Sequence, residues 1–393
     1  MTFLTAVRAA LLLLALAPLA YYLVAIVAAW RFFPRPPSGA LKFHPPVSIL
    51  KPIYGLDREA YENFASLCRQ DYPEYEILFC VTDEKDPAVP VIQRIIHDFS
   101  GGDNPKRTIR LICGPEALGV SDKVNKLCRM VHEAHHEIVV ISDSDVRVAP
   151  EYLRAIAWPF RDPKVGVVTC LYRGLTDGSL ASDLEALGNS TDFAPSVLTA
   201  ALLGEVNFAL GATMATTKKH LAEIGGFGSL VDHFSDDYEL GHRIALRGYR
   251  VELSTFPVSV VYPAQSFGDA FRHQVRWNAS IRFSRPAGHL GLIFTQGLPW
   301  ALLAAAVAPS RTMAAAFLAA YLVLRAAMAR VVGVWGMRDD LVRRKIWLLP
   351  LRDAFGFAAW FASFFVQRIV WRGQEFQIRD KRLVPIASDV SRR

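Results

Sequence analysis

The spacing of apolar residues changes character along the chain. Residues 9–30 carry no charge, with Arg8 before the run and Arg31, Phe32 and Phe33 after it. A run of about 22 residues is long enough to cross a ~30 Å hydrocarbon core. It is read as an uncleaved anchor occupying residues 1–30. The competing reading is a signal peptide cut near Val27, Ala28 and Ala29, but the run is longer than a usual signal h-region. Three more apolar segments lie at 289–309, 313–335 and 346–367, giving a C-terminal membrane region over 289–367 and a basic tail over 368–393.

Between these ends the pattern is that of a globular domain, assigned to 31–288. Short β-rich runs at 47–50, 75–82, 109–113, 137–142 and 165–171 alternate with helical stretches at 57–70, 89–99 and 122–133. In the first helix Ala60, Phe64, Leu67 and Cys68 recur at helical spacing. Strands alternating with helices predict an α/β domain with a mostly parallel sheet. In such sheets ligands bind at the carboxyl ends of the strands, so the polar residues just after each strand are the ones that matter.

Composition sharpens this picture. Apolar residues make up 52% of the chain, above the ~45–50% of soluble proteins, and the excess sits at the two ends. This excludes a disordered tail protein and a small disulfide scaffold. The formal charge is +7, but it does not form one patch, so no nucleic-acid partner is expected. Arg31, Arg35 and Lys42 follow the first apolar run, and Arg338, Arg343, Arg344 and Lys345 separate the last two. Lys and Arg beside apolar segments mark cytoplasmic edges, which puts the central domain in the cytoplasm. Three full spans after that domain would place the basic tail outside. One segment is therefore expected to be interfacial or re-entrant, and the one holding Pro350, Arg352 and Asp353 is the candidate, because such residues are costly in hydrocarbon. The five cysteines, all in the central domain, form no CxxC pair, which fits a reducing compartment and no structural zinc.

Two predicted strands end in acid. One runs into Asp83, and 137–142 runs into Asp143-Ser-Asp145. Two carboxylates directly after a buried strand are expensive unless they face an opening or a cation. In an extended chain Asp143 and Asp145 share a side, and a carboxylate pair leaving room for phosphates suits Mg²⁺ or Mn²⁺. A third acid cluster, Asp236 and Asp237 before Tyr238 and Glu239, opens a helix at 238–247. Helix capping accounts for one of those two acids more easily than for both. Arg276 and Trp277, just before the C-terminal apolar region, have the composition of an interfacial anchor.

These pieces, in this order, resemble an inverting, membrane-bound nucleotide-sugar glycosyltransferase of the GT-A fold. The likeness is strongest to the ceramide glucosyltransferase family and takes in related transferases that add N-acetylglucosamine to hopanoid lipids. It rests on Val47-Ser-Ile-Leu-Lys-Pro52, Cys80-Val-Thr-Asp-Glu-Lys-Asp-Pro87, Lys123-Val-Asn125, Asp143-Ser-Asp145, Asp236-Asp237-Tyr238 and Arg276-Trp277, and extends to Trp371-Arg372-Gly373. The resemblance implies that Asp83 contacts the nucleotide and that Asp143 and Asp145 contact the ribose and a metal–diphosphate. It makes Asp237 the base, since the family has Asp directly before Tyr, and leaves capping to Asp236. Where the family has Gln or Arg opening the motif before Arg-Trp, this chain has His273. Lys123 and Arg276 are candidates for stabilising the leaving diphosphate.

The implied reaction moves glucose or N-acetylglucosamine from a UDP-sugar to a hydroxyl of a ceramide-type or hopanoid lipid, at the bilayer surface. A processive polysaccharide synthase shares the motif order but needs a channel for its growing chain. A non-enzymatic receptor or anchor explains the apolar segments but not acids ending two strands.

Overall fold

A computed structural model describes residues 3–33, 43–101, 104–371, 374–379 and 382–385. Arg35, Lys42, Arg372 and Gly373, singled out above, lie outside the described residues. The chain divides into two compact units. A central unit comprises Pro36–Tyr172, Val206–Pro263 and Gln367–Arg393, and an apolar unit comprises Met1–Arg35, Arg173–Glu205 and Ala264–Val366. The stretches 173–205 and 264–288, expected within the central domain, thus belong to the apolar unit.

The central unit is built on eight strands: β1 (Val47–Pro52), β2 (Tyr75–Val81), β3 (Arg107–Cys113), β4 (Ile138–Ser142), β5 (Val146–Arg147), β6 (Val165–Leu175), β7 (Thr213–Thr217) and β8 (Arg250–Val261). Their order across the sheet is β3-β2-β1-β4-β7-β6-β8-β5. The first four are parallel, with Val47 opposite both Tyr75 and Ile138. This is the parallel sheet expected from the strand–helix alternation. Every residue of β1, β2 and β4 is buried, as expected where helices cover both faces of a parallel sheet. β7 then joins β4 antiparallel, Ser142 facing Thr213, and β5 pairs antiparallel with β8.

The connecting helices are Ala60–Cys68, Val89–Phe99 and Asp122–Glu133. In the second, Val89, Ile92 and Ile95 are buried, a one-sided stripe that packs on the sheet. The third starts at Ser121, whose hydroxyl accepts from the Val124 N–H at 3.4 Å. Leu50, Leu78, Ile141, Val124 and Leu127 meet in the core beneath it. All five cysteines are free thiols, and four are buried, while Cys113 is exposed at the end of β3. A separate antiparallel sheet joins Arg368–Trp371, Gln374–Arg379 and Arg382–Pro385.

Among the described residues the apolar unit holds two helices long and apolar enough to cross a membrane, Phe3–Phe32 and Arg311–Gly336. The segment expected at 289–309 is a pair of helices, Pro286–Thr295 and Gly297–Val307, bent by 54°. The break therefore falls in this segment. The segment with Pro350 forms a helix of 15 residues, Leu349–Ser363, shorter than the ~20 needed to span. Its costly charges are paired. Arg325 Nε lies 3.1 and 3.0 Å from the two Asp353 oxygens, and its Nη2 is 2.5 Å from Asp192 Oδ1. Arg352 Nε donates to Asp192 Oδ2 at 2.8 Å, and Tyr321 donates to Asp353 at 2.8 Å. A buried charge survives only when it is paired and hydrogen-bonded in this way.

Candidate active site

The acids after β4 do not continue as an extended chain. β4 stops at Ser142 and β5 starts at Val146, and the Val146 N–H closes a turn onto the Asp143 carbonyl at 3.1 Å. What holds this turn is Lys51, a fully buried lysine near the end of β1. Its Nζ donates to the Asp143 carbonyl at 2.6 Å, the Val146 carbonyl at 3.3 Å and Ser142 Oγ at 3.4 Å. Burial pushes the Lys51 ammonium down to about 8, against the opposing pull of Asp145, Asp143 and Asp57. A Lys51→Met variant keeps the volume but strips the turn of its donor. It is expected to lose about 1–3 kcal/mol of stability, read as a lower midpoint of thermal unfolding in detergent.

Lys123, in the first turn of the helix that follows β3, reaches the same place. Its Nζ sits 2.6 Å from Asp143 Oδ1 and 3.8 Å from Asp236 Oδ2. Burial alone would depress it, but Asp143, Asp236 and Asp237 outweigh that and hold it charged far above the usual lysine range. Asp236 and Asp237 open the helix Asp236–Leu246. Ser235 occupies the cap position, and the Asp236 carboxylate faces Lys123. Asp236 is thus an ion-pair partner of Lys123, where capping had been expected. Asp237 Oδ1 accepts from the Tyr238 N–H at 2.8 Å. A Cβ added to Gly211 would stand 3.0 Å from Asp237 Oδ2 and 3.8 Å from Asp143 Oδ2. The two carboxylates therefore flank one bare stretch of backbone.

Asp145 and Asp237 are both perturbed by burial first and then by neighbouring acids. Burial, then Asp143 and Asp57, push Asp145 up to about 7, with Lys51 opposing. Burial, then Asp236, push Asp237 up to about 6, with Lys123 opposing. Among the described residues no ion pair reaches Asp145, and no three His, Cys, Asp or Glu side chains converge as a metal cage. The chain thus offers hard carboxylate oxygens, too few to enclose a cation alone and too close together to stay ionised comfortably. That donor set fits Mg²⁺ or Mn²⁺ completed by phosphate and water.

Asp83 stands at the end of β2, exposed, and accepts from the Lys85 N–H at 2.7 Å. Among the described residues no hydrogen bond or ion pair joins it to the Lys123 cluster. Arg276 and Trp277 lie on Phe267–Ser284 in the apolar unit. Trp277 packs against Phe193 and His273, at 6.3 and 5.5 Å between ring centroids. His273 contacts the buried Glu185, which also receives Gln265. Sequence reasoning assigned no role to Lys51, although a lysine inside an otherwise buried strand was a visible signal. Glu185 gave none, because its partners lie about 80 residues away.

The profile of glycosyl transferase family 21 matches residues 10–384. The chain belongs to glycosyl transferase family 21. Ceramide glucosyltransferase 3 of Caenorhabditis elegans is 26% identical over 226 residues, which cover 54% of this chain and 45% of that protein. Ceramide glucosyltransferase of Komagataella phaffii is 35% identical over 106 residues, covering 26% of this chain and 20% of its own. These matches span less than half the length of either relative. A mannosyltransferase from Pyrobaculum calidifontis, solved with GDP-Man and Mn²⁺, aligns with a TM-score of 0.53 and 20% identity over 91% of this chain and 99% of that one. This family 21 member shares its fold, the GT-A arrangement that the motifs implied.

Proposed function

We propose that this protein transfers glucose or N-acetylglucosamine from a UDP-sugar to a hydroxyl of a membrane lipid, with inversion. The observation that carries the reading is the convergence of Asp143 and Asp237 beside Gly211, with Lys123 between Asp143 and Asp236. The names of the relatives favour a ceramide-type acceptor, and a hopanoid is the other lipid to test.

Asp237, pushed up to about 6, is ionised at neutral pH and still basic enough to take the acceptor's proton. As the lipid oxygen bonds to the anomeric carbon, the bond from that carbon to the diphosphate breaks and the proton passes to Asp237. A single displacement of this kind inverts the centre. Lys123 fixes Asp143 and puts positive charge near the growing negative charge of the diphosphate. A divalent cation bound by Asp145 and Asp143 would supply further neutralisation of that leaving group. Asp83 is the nucleotide contact, and Arg276 with Trp277 serves the diphosphate and head-group level.

The orientation follows from charge. If the bent pair counts as one crossing, the chain crosses three times. On that count the basic 338–345 loop and the basic tail are both expected on the cytoplasmic side.

One experiment tests reaction and orientation together. Sealed inverted vesicles carrying the protein should glycosylate short-chain ceramide from UDP-sugar added outside, and right-side-out vesicles should do so only after permeabilisation. No transfer to any lipid in permeabilised vesicles would sink the proposed activity, and transfer by intact right-side-out vesicles would reverse the orientation.

A further inference from the structure

The two helices long enough to span meet at one end. Phe33, just past the first, stands edge-on to Trp335 at 6.1 Å between ring centroids, and the Gly336 backbone lies against the same ring. Each helix therefore reaches arginine at the same edge, Arg31 in the last turn of one and Arg338 two residues beyond the other. Both arginines are exposed, and so are Trp30, Trp335 and Trp347. Exposed Trp beside Arg where an apolar helix ends is the composition of a membrane–water interface.

Arg338 is singled out by its backbone. Its φ is 52°, in the left-handed region that glycine enters freely and an L side chain enters at a cost. The surrounding chain fixes it there. The Met337 N–H donates to the Val332 carbonyl at 2.8 Å, and the Asp339 N–H to the Gly333 carbonyl at 2.9 Å. Arg173 Nη1 donates to the Met337 and Arg338 carbonyls at 3.0 and 2.5 Å. The buried Asp339 carboxylate accepts from the Leu341 N–H and from the Ser190 hydroxyl. Glycine is the usual residue where a helix ends in this conformation, and strain kept at such a position points to a task for the side chain.

That side chain is exposed, and among the described residues no carboxylate reaches it. The helix that follows, Asp340–Lys345, adds Arg343 and Arg344, both exposed. Asp340 pairs with Arg343 at 2.8 Å, and Lys345 is taken by the buried Asp183. Arg344 Nε donates to the Asp340 carbonyl at 3.3 Å, and among the described residues Arg344 has no ion pair. Arg338 and Arg344 thus present two positive charges that these residues do not answer. A lipid phosphate suits them. A guanidinium fork takes two phosphate oxygens, and the glycerol and first methylenes behind the phosphate suit exposed Trp rings. A zwitterionic lipid carries its own cation, which offsets the arginines, so a net anionic lipid fits better.

We propose that this edge of the apolar unit binds an anionic phospholipid of the bilayer, with Arg338 on its phosphate and Arg344 adding charge beside it. The proposal rests on Phe3–Phe32 and Arg311–Gly336 being membrane spans and is independent of the transfer reaction.

The test incubates full-length protein in detergent with equimolar dioleoyl phosphatidylglycerol and dioleoyl phosphatidylcholine, and identifies the first lipid retained by native mass spectrometry. Wild type should retain phosphatidylglycerol in preference, and added salt should weaken that preference. Arg338→Gly removes the guanidinium and suits the backbone. It should cut the preference about fivefold, the worth of one arginine near a lipid surface, while raising the unfolding midpoint. Arg344→Gln, at an exposed position, should cut it by a similar factor and decides the matter if Arg338→Gly fails to fold. Equal retention of the two lipids by wild type, or an unchanged ratio in the folded variants, overturns the proposal. A lower midpoint in Arg338→Gly overturns it too, since the arginine would then serve the fold. So does displacement of phosphatidylglycerol by inorganic phosphate at matched ionic strength, which would make this a site for the free ion. Flotation of the protein with liposomes tests the spans separately. A chain that does not float refutes them, whatever the lipid ratio.

Discussion

Asp237→Asn is expected to lower transfer by ~10²–10⁴ while UDP-sugar still binds with unchanged affinity. The amide fills the same space beside Gly211 but has no lone pair basic enough to accept the hydroxyl proton. Folding should survive. Asp237 has its carboxyl raised to about 6 from 3.8, so its ionised form is disfavoured in the folded state. Stability from this group is gained as pH falls through about 6 and is lost above it, and an uncharged amide avoids that cost. The same shift sets the acid limb of the wild-type pH profile for kcat/KM. Activity needs the carboxylate and should fall below about pH 6. Asp236→Asn tests the second cause. Removing that neighbouring charge makes ionisation of Asp237 easier, so the limb should move to lower pH while much of the turnover remains. Loss of transfer in Asp236→Asn with near-normal rates in Asp237→Asn would exchange the two roles.

Asp145→Asn should reduce turnover by at least ~10², abolish Mn²⁺ binding measured by paramagnetic resonance, and raise the unfolding midpoint. Asp145 is raised to about 7 from 3.8 by burial first and then by Asp143 and Asp57. Above about pH 7 the folded chain carries that carboxylate ionised at a cost, which is relieved as the pH drops through this value. The stabilisation from Asn should therefore be larger at pH 8 than at pH 5. A bound cation competes with the same proton, so Mn²⁺ affinity in the wild type should weaken about tenfold per pH unit below about 7. Wild-type turnover across Mn²⁺ and Mg²⁺ titrations in the variant would rule out the metal role.

The alternation of strands and helices made the parallel half of the sheet readable, because buried strands are uniform apolar runs with short helical stretches between them. β7 and β8 escaped. Thr213–Thr217 has the composition of a polar loop, and only its antiparallel seat between β4 and β6 makes it a strand. The acids after β4 were legible as a pair at a strand end. Their turn was not, because it depends on Lys51 reaching across from β1. Asp236 looked like a cap for the same reason, since its partner Lys123 lies more than 100 residues earlier. In the apolar segments, hydropathy located the helices but not the bend, and it flagged Arg352 and Asp353 as costly without revealing the Asp192 and Arg325 that neutralise them.

The lone exposed thiol at the end of β3 has a practical consequence. Four cysteines are shielded and Cys113 is not, so a maleimide dye would attach to the native chain at one point. Burial, then Glu84 and Asp83, push the Cys113 thiol up, which makes coupling slow at neutral pH and favours brief alkaline labelling. The dye would sit within the electrostatic reach of Asp83, the proposed nucleotide contact. An unmutated protein could then report donor occupancy as a change in emission, giving an optical titration that requires neither lipid nor turnover.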